Sequence, residues 1–191
     1  MVEGRTAGRA SVNEPGFDRI ALAYPASLIV PAAGFVVVGG NVLRASMGSA
    51  RLVAMFAAGL ALWTLVEYVL HRYLLHGVEP FRRWHMAHHL DADLPIRIPL
   101  PFSLVLVLAL IGLPSVLVWN KALASALSAG LLLGHLAQEV VHHRLHRNED
   151  GGGWWAAQRR HHRHHHFNDP ERAFGTLTAF WDRIFGTLPR P

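Results

Sequence analysis

The chain has 191 residues, 51% of them hydrophobic and only 16% charged, and its net charge of +5 is carried by arginines and a single lysine, Lys121. About a quarter of a soluble domain is charged, so the deficit points to lipid exposure, and the length suits one domain. The absence of cysteine excludes disulfides, thiolate metal sites and cysteine nucleophiles. The isoelectric point near 10.7 is not read as nucleic-acid binding, because the arginines flank apolar stretches, where anionic headgroups would meet them.

In chain order, residues 1–19 form a polar, Gly- and Arg-rich tail expected to be loosely ordered. Residues 20–38 are uncharged and long enough to cross a bilayer, with Pro25 and Pro31 expected to kink the helix. A signal peptide would have a shorter core nearer the start. Three further spans are expected at about 52–70, 98–119 and 122–141. The first and third are plain anchors. The second and fourth start apolar and end in histidines, so they are expected to project from the bilayer. A short helix is expected over 154–166, followed by a cap bearing Phe174, Phe180, Trp181 and Phe185.

The predicted fold is therefore all-α: a single domain over 20–191, with an integral membrane four-helix bundle and a histidine-rich, metal-binding helical cap. Four spans put both termini on one side. Arg44, Arg51 and Lys121 fall in the opposite loops, and every other basic residue lies with the termini and the histidines. The positive-inside rule makes that side cytoplasmic, in the inner membrane of a bacterial cell or the endoplasmic reticulum of a eukaryotic one.

All 14 histidines lie from His71 onward. Most fall in four boxes: His71-Arg-Tyr-Leu-Leu-His76, His85-Met-Ala-His88-His89, His142-His-Arg-Leu-His146 and His162-Arg-His-His165-His166. Residues three or four apart share a helix face, so the last three boxes can each aim imidazoles at one point. His71 and His76 are five apart, and a helix end or bend is expected between them. Imidazole suits iron, zinc and copper. Ten positioned imidazoles exceed what one ion takes, so two ions are the natural count. Paired iron with open positions suits O₂ activation, which soluble di-iron bundles perform with carboxylates. His135 is assigned no ligand role, and His143, His161 and His164 are left over as outer groups or alternate ligands. Glu67 and Glu139 each read either as a hydrogen-bonding partner of a ligand imidazole or as a solvated interfacial carboxylate.

These boxes resemble the fatty acid hydroxylase superfamily, which includes sterol desaturases and carotenoid hydroxylases. The stretch from Glu67 to His76, His85-x-x-His-His89, His142-x-x-x-His146 and His162-x-x-His-His-Phe167 are similar to its four boxes in order. Phe180-Trp-Asp-Arg-Ile-Phe-Gly-Thr187 resembles its closing signature. The first box, residues 161–167 and the closing signature look most like fatty acid 2-hydroxylases. Two departures are Met86, where that branch often has glycine, and Glu139, where it often has aspartate. The resemblance implies a di-iron, O₂-dependent monooxygenase acting on a lipid acyl chain of fatty acid or sphingolipid type, with zinc able to replace iron in a purified sample. The implied ligands are His71, His76, His85, His88, His89, His142, His146, His162, His165 and His166. The lipid would enter from the bilayer. Electrons would come from a separate cytochrome b5-, ferredoxin- or reductase-type donor, since residues 1–19 hold no histidine and are too short for a haem domain. Carotenoid or sterol oxidation on the same scaffold is the second reading. A metal transporter or sensor is a third, disfavoured because transporters carry ionisable ligands inside their spans and these boxes sit at span ends.

Overall fold

The computed structural model describes residues 20–46, 48–92, 97–147 and 151–190. The polar tail over 1–19 lies outside the described residues. The elements are a short strand β1 (Ala21–Ala23), a 3₁₀ turn (Ala26–Leu28) leading into α1 (Ile29–Leu43), α2 (Ser49–Val69), a π-helical turn (Leu70–Leu75), α3 (Phe81–Leu90), β2 (Arg97–Pro99), α4 (Leu100–Leu117), α5 (Lys121–His146), α6 (Trp154–Phe167) and α7 (Phe180–Ile184).

Among the described residues, four helices are long and apolar enough to cross a membrane: Ala26–Leu43, Ser49–Leu75, Leu100–Leu117 and Lys121–His146. At 1.5 Å per residue, the 18-residue first and third spans reach ~27 Å, about one hydrocarbon thickness. The second and fourth have 27 and 26 residues, or roughly 40 Å. Their surplus turns extend past the apolar layer and carry His71, His142 and His146, with His76 just beyond.

The first span starts later than its uncharged sequence suggests. Residues 21–23 instead pair antiparallel with 97–99, in the register Ala21↔Pro99, Leu22↔Ile98 and Ala23↔Arg97. This small ribbon ties the entry of α1 to the entry of α4. Pro25 precedes the helical turn and Pro31 lies in the first turn of α1, where a missing N–H is tolerated. The kinks expected at these prolines are thus absorbed at the helix start.

The α2 and α5 helices pack most intimately. A Cβ on Gly59 would stand 2.2 Å from the Leu127 carbonyl oxygen, and one on Gly130 would stand 2.1 Å from that of Phe56. Small residues let membrane helices approach this closely. Trp63 then lies over Gly134 one turn on, and Trp63, Leu131, Leu132, Val107 and Leu110 form the core. Because the first box follows directly on α2 and the third lies on α5, this contact sets the distance between them.

Candidate metal centre

Each box is aimed by its local backbone. The helix end expected between His71 and His76 is present, since the helical turn stops at Leu75 with His76 as its C-cap. The chain widens into a π turn, closed by the His76 N–H donating to the His71 carbonyl at 3.2 Å. Residues five apart then align, and the two rings lie 5.2 Å apart. Such π turns recur at functional sites. On α3, His85, His88 and His89 occupy one flank. On α6, His162, His165 and His166 turn inward, while His161 turns to Asp182.

All ten sequence-selected histidines converge. His71, His76, His85, His89 and His165 form one group, and His88, His142, His146 and His166 a second; within each group one ring nitrogen per residue lies within 4.8 Å of the others. His162 joins the second group's edge, its Nε2 2.9 Å from His146 Nε2. In the first group, Nε2 atoms of His71 and His85 are 3.0 Å apart, and those of His85 and His89 are 3.1 Å apart. His76 and His165 are also 3.1 Å apart. In the second, His146 Nε2 faces His88, His142 and His162 at 3.1, 3.1 and 2.9 Å.

An imidazole nitrogen carries one proton or one lone pair, so His146 Nε2 cannot hydrogen-bond all three neighbours. Imidazoles bind an ion at ~2.1 Å, which at right angles puts neighbouring donors ~3 Å apart. The observed separations match that, so each group fits a metal ion.

The outer contacts fix the tautomers. His71 Nδ1–H donates to the Phe174 carbonyl at 2.5 Å, and His165 Nδ1–H to that of Arg172 at 2.7 Å. Each bond leaves Nε2 with its lone pair facing the group. Two carboxylates hold the loop that supplies these carbonyls. Asp182 accepts from the N–H groups of Phe174 and Gly175, both at 2.9 Å, and from Thr187 Oγ1 at 2.7 Å and His161 at 3.0 Å. Glu67 accepts from the N–H groups of Thr176 and Leu177. Four consecutive backbone N–H groups are thereby clamped, next to Ala173 at a positive φ of 57°, a conformation that persists only where its surroundings enforce it.

Glu67 therefore supports His71 through the loop and not by touching a ligand imidazole. Glu139 accepts from Ser27 Oγ at 2.7 Å and faces the non-ligand His135. Neither meets the expectation of a direct bond to a ligand, and neither is solvated. Asp182 lies within the closing signature, where only its aspartate chemistry hints at a role. The Arg172 and Phe174 carbonyls are backbone atoms and leave no sequence signal.

A cavity of about 290 Å³ opens beside the groups. His71, His85, His88 and His142 line one part of it, and Leu70, Trp63, Phe102 and Leu106 carry it between the spans.

A fatty acid hydroxylase profile matches residues 56–187. The chain belongs to the fatty acid hydroxylase family. Its relatives in that family include a dihydroceramide fatty acyl 2-hydroxylase of Arabidopsis thaliana, 30% identical over 143 residues, covering 70% of this chain and 60% of that one. The fatty acid 2-hydroxylase of Rattus norvegicus is 32% identical over 149 residues, covering 71% of this chain and 40% of the other. Among solved structures, full-length scs7p, with only its hydroxylase domain visible, aligns with a TM-score of 0.77 at 27% identity, over 90% of this chain and 69% of that one. The chain spans between 38% and 65% of the length of the curated relatives it matches.

Burial, reinforced for most by neighbouring imidazoles, disfavours the charged form of seven of the clustered histidines. His76 and His88 are pushed down to about 3 and His89 to about 4, and His85, His162, His165 and His166 also lie well below their ordinary value. Burial alone would raise the Asp182 carboxyl, but hydrogen bonds from His161, Thr187 and Gly175 together hold it below the usual range. The sign of the pH dependence follows. In the unfolded chain a histidine titrates near 6.5, so on acidification the unfolded state takes up protons first. The metal-free protein should keep full stability above pH 6.5 and lose it progressively as pH falls towards 3–4. Metal affinity should fall in the same direction, since protons compete for the same nitrogens. Thermal unfolding in detergent between pH 8 and 4 measures this, and a melting temperature that rises on acidification would contradict it.

Proposed function

We propose that the protein is a membrane monooxygenase that hydroxylates a lipid acyl chain, using O₂ and electrons from a separate donor protein. Two converging imidazole groups that open onto a largely apolar cavity between spans carry this reading. We assign one iron to His71, His76, His85, His89 and His165, and the other to His88, His142, His146 and His166 with His162 alongside. Iron held there supplies the O₂ chemistry needed to attack an unactivated C–H bond. The chain's own residues do the rest. Leu70, Phe102 and Leu106 take the acyl chain from the bilayer and exclude water from it. The Phe174 and Arg172 carbonyls keep the His71 and His165 nitrogens in place. One oxygen atom enters the lipid and the other leaves as water, consuming two electrons and two protons. The named relatives act on fatty acyl groups at position 2, which favours such a substrate over a carotenoid or a sterol.

The test is isotopic. Product formed under ¹⁸O₂ should carry the label, and product formed in labelled water should not. Label arriving from water would make the protein a hydratase or hydrolase and end the oxygenase reading.

The histidines and both termini are assigned to the cytoplasmic side, from the arginine asymmetry. Reporters fused at residue 46 and at the carboxyl terminus should mark opposite sides of the membrane. The same side for both would refute this topology.

A further inference from the structure

The two sides of the closing helix α7 face different surroundings. Asp182 turns inward, buried, onto the Phe174 and Gly175 N–H groups. Phe180, Ile184 and the following Phe185 turn outward and are 53%, 58% and 47% exposed. Phe180 and Ile184 stand four apart, on one helix face. Large apolar side chains gathered on so short a helix mark a surface that something covers.

The position of α7 along the second span says what that is. Trp181 donates its indole N–H to Thr64 Oγ1 at 2.9 Å, and Phe185 stacks on Tyr68 with centroids 5.3 Å apart. Thr64 and Tyr68 both belong to α2, and Thr64 follows its first residue, Ser49, by fifteen residues. That is ~22 Å of helix rise, whereas the hydrocarbon layer is ~30 Å thick. Arg51 lies in the first turn of α2, and an arginine there reaches the far headgroups. With the start of α2 at that far boundary, Thr64 lies about 8 Å inside the near one, and tilt of the helix only deepens it. Tyr68, four residues on, comes ~6 Å nearer the surface. The contacts of α7 thus fall at the level where acyl chains give way to headgroups. Leu62 and Val69 on α2 are exposed as well, so the apolar surface of α7 continues that of the span.

We propose that α7 is an interfacial helix, seated in the lipid on the histidine-bearing side of the membrane with Phe180, Ile184 and Phe185 among the acyl chains. Arg183 is exposed on the same helix, and its long stem lets the guanidinium reach the headgroups. The metal centre is thereby moored to the bilayer: lipid holds α7, Asp182 holds the loop, and the Phe174 carbonyl holds His71. The inference rests on the four spans and not on the reaction.

The chain has no cysteine, so an introduced one alone takes a thiol-reactive fluorophore. Ile184→Cys is labelled on the metal-loaded full chain and reconstituted into phosphatidylcholine vesicles. Val105→Cys, exposed near the start of α4, marks the acyl layer at a similar depth. Glu79→Cys, exposed beside Arg82 and Arg83, marks water. One set of vesicles contains phosphatidylcholine with a nitroxide on its acyl chain, and another has iodide in the water on both sides. An interfacial helix sinks its apolar face ~5–10 Å into the headgroup–acyl boundary, so the nitroxide should quench the label at Ile184 to within about twofold of that at Val105, and iodide should quench it at least about threefold less than that at Glu79. Iodide quenching equal to that at Glu79 would overturn the proposal by placing α7 in water. Protection from both quenchers would overturn it too, by showing that protein, such as a second copy of this chain, covers the face. Should Ile184→Cys fail to fold, Phe180→Cys, on the same face, answers to the same two quenchers.

Discussion

Replacing His146 with alanine should abolish hydroxylation, with a loss exceeding the 10–100-fold typical of changes in the groups that merely support ligands. Its Nε2 is the hub of the second group, with three other imidazole nitrogens within 3.1 Å. Removing it leaves the remaining nitrogens without the geometry that one ion needs. Metal analysis should show about one ion fewer. His165→Ala should do the same to the first group, where the ring is fully buried and braced by the Arg172 carbonyl. The control is His164→Ala, which changes a histidine of the same helix outside both groups and should keep activity and metal. Full activity in His146→Ala would remove that residue from the site. Equal loss in the control would mean that the cap had simply unfolded.

Asp182→Ala should be nearly as damaging, although Asp182 belongs to neither histidine group. The carboxylate is fully buried and accepts from two backbone N–H groups, a hydroxyl and His161. Its loss strands the Phe174 and Gly175 N–H groups and His161 at once, while the Thr187 hydroxyl keeps Tyr68 as a partner. Breaking a buried charged network costs about 3–5 kcal/mol, and releasing the Phe174 carbonyl from its place beside His71 should weaken metal binding about 10–100-fold. Asp182→Asn keeps one acceptor oxygen and should fall between wild type and alanine. Thermal unfolding and metal retention against a chelator give the two readings. Wild-type values in Asp182→Ala would show that the loop is held by Glu67 alone.

Much of this was legible in the sequence. Apolar length sets the spans, and the position of the boxes at the ends of the second and fourth follows from the same count. The i, i+3, i+4 spacing of His85, His88 and His89 places them on one face of a real helix, and His162, His165 and His166 behave likewise. Other features had no local signal. The π turn at Leu70–Leu75 has no local signature, since the same residues would also suit an ordinary helix end. The pairing of 21–23 with 97–99 joins segments whose apolar character reads equally as membrane span. Partners such as the Arg172 carbonyl are common to every residue. Glu67 and Glu139 read equally as partners of a ligand imidazole or as solvated carboxylates, and only the folded chain shows that Glu67 grips the Thr176 and Leu177 N–H groups and Glu139 the Ser27 hydroxyl.

The two donor sets are interleaved. His88 and His89 are neighbours on α3 yet belong to different groups, as are His165 and His166 on α6, and the rings of His89 and His166 stack across the divide at 4.1 Å. Whatever rigidifies α3 and α6 for one ion therefore pre-arranges half the donors of the other. Occupancy becomes a property of the pair: a titration of the stripped protein with metal should be sigmoidal, and the half-filled form should be scarce at every concentration. A cell that runs short of metal would then hold a mixture of complete and empty molecules, with activity that tracks the square of metal supply more nearly than the supply itself.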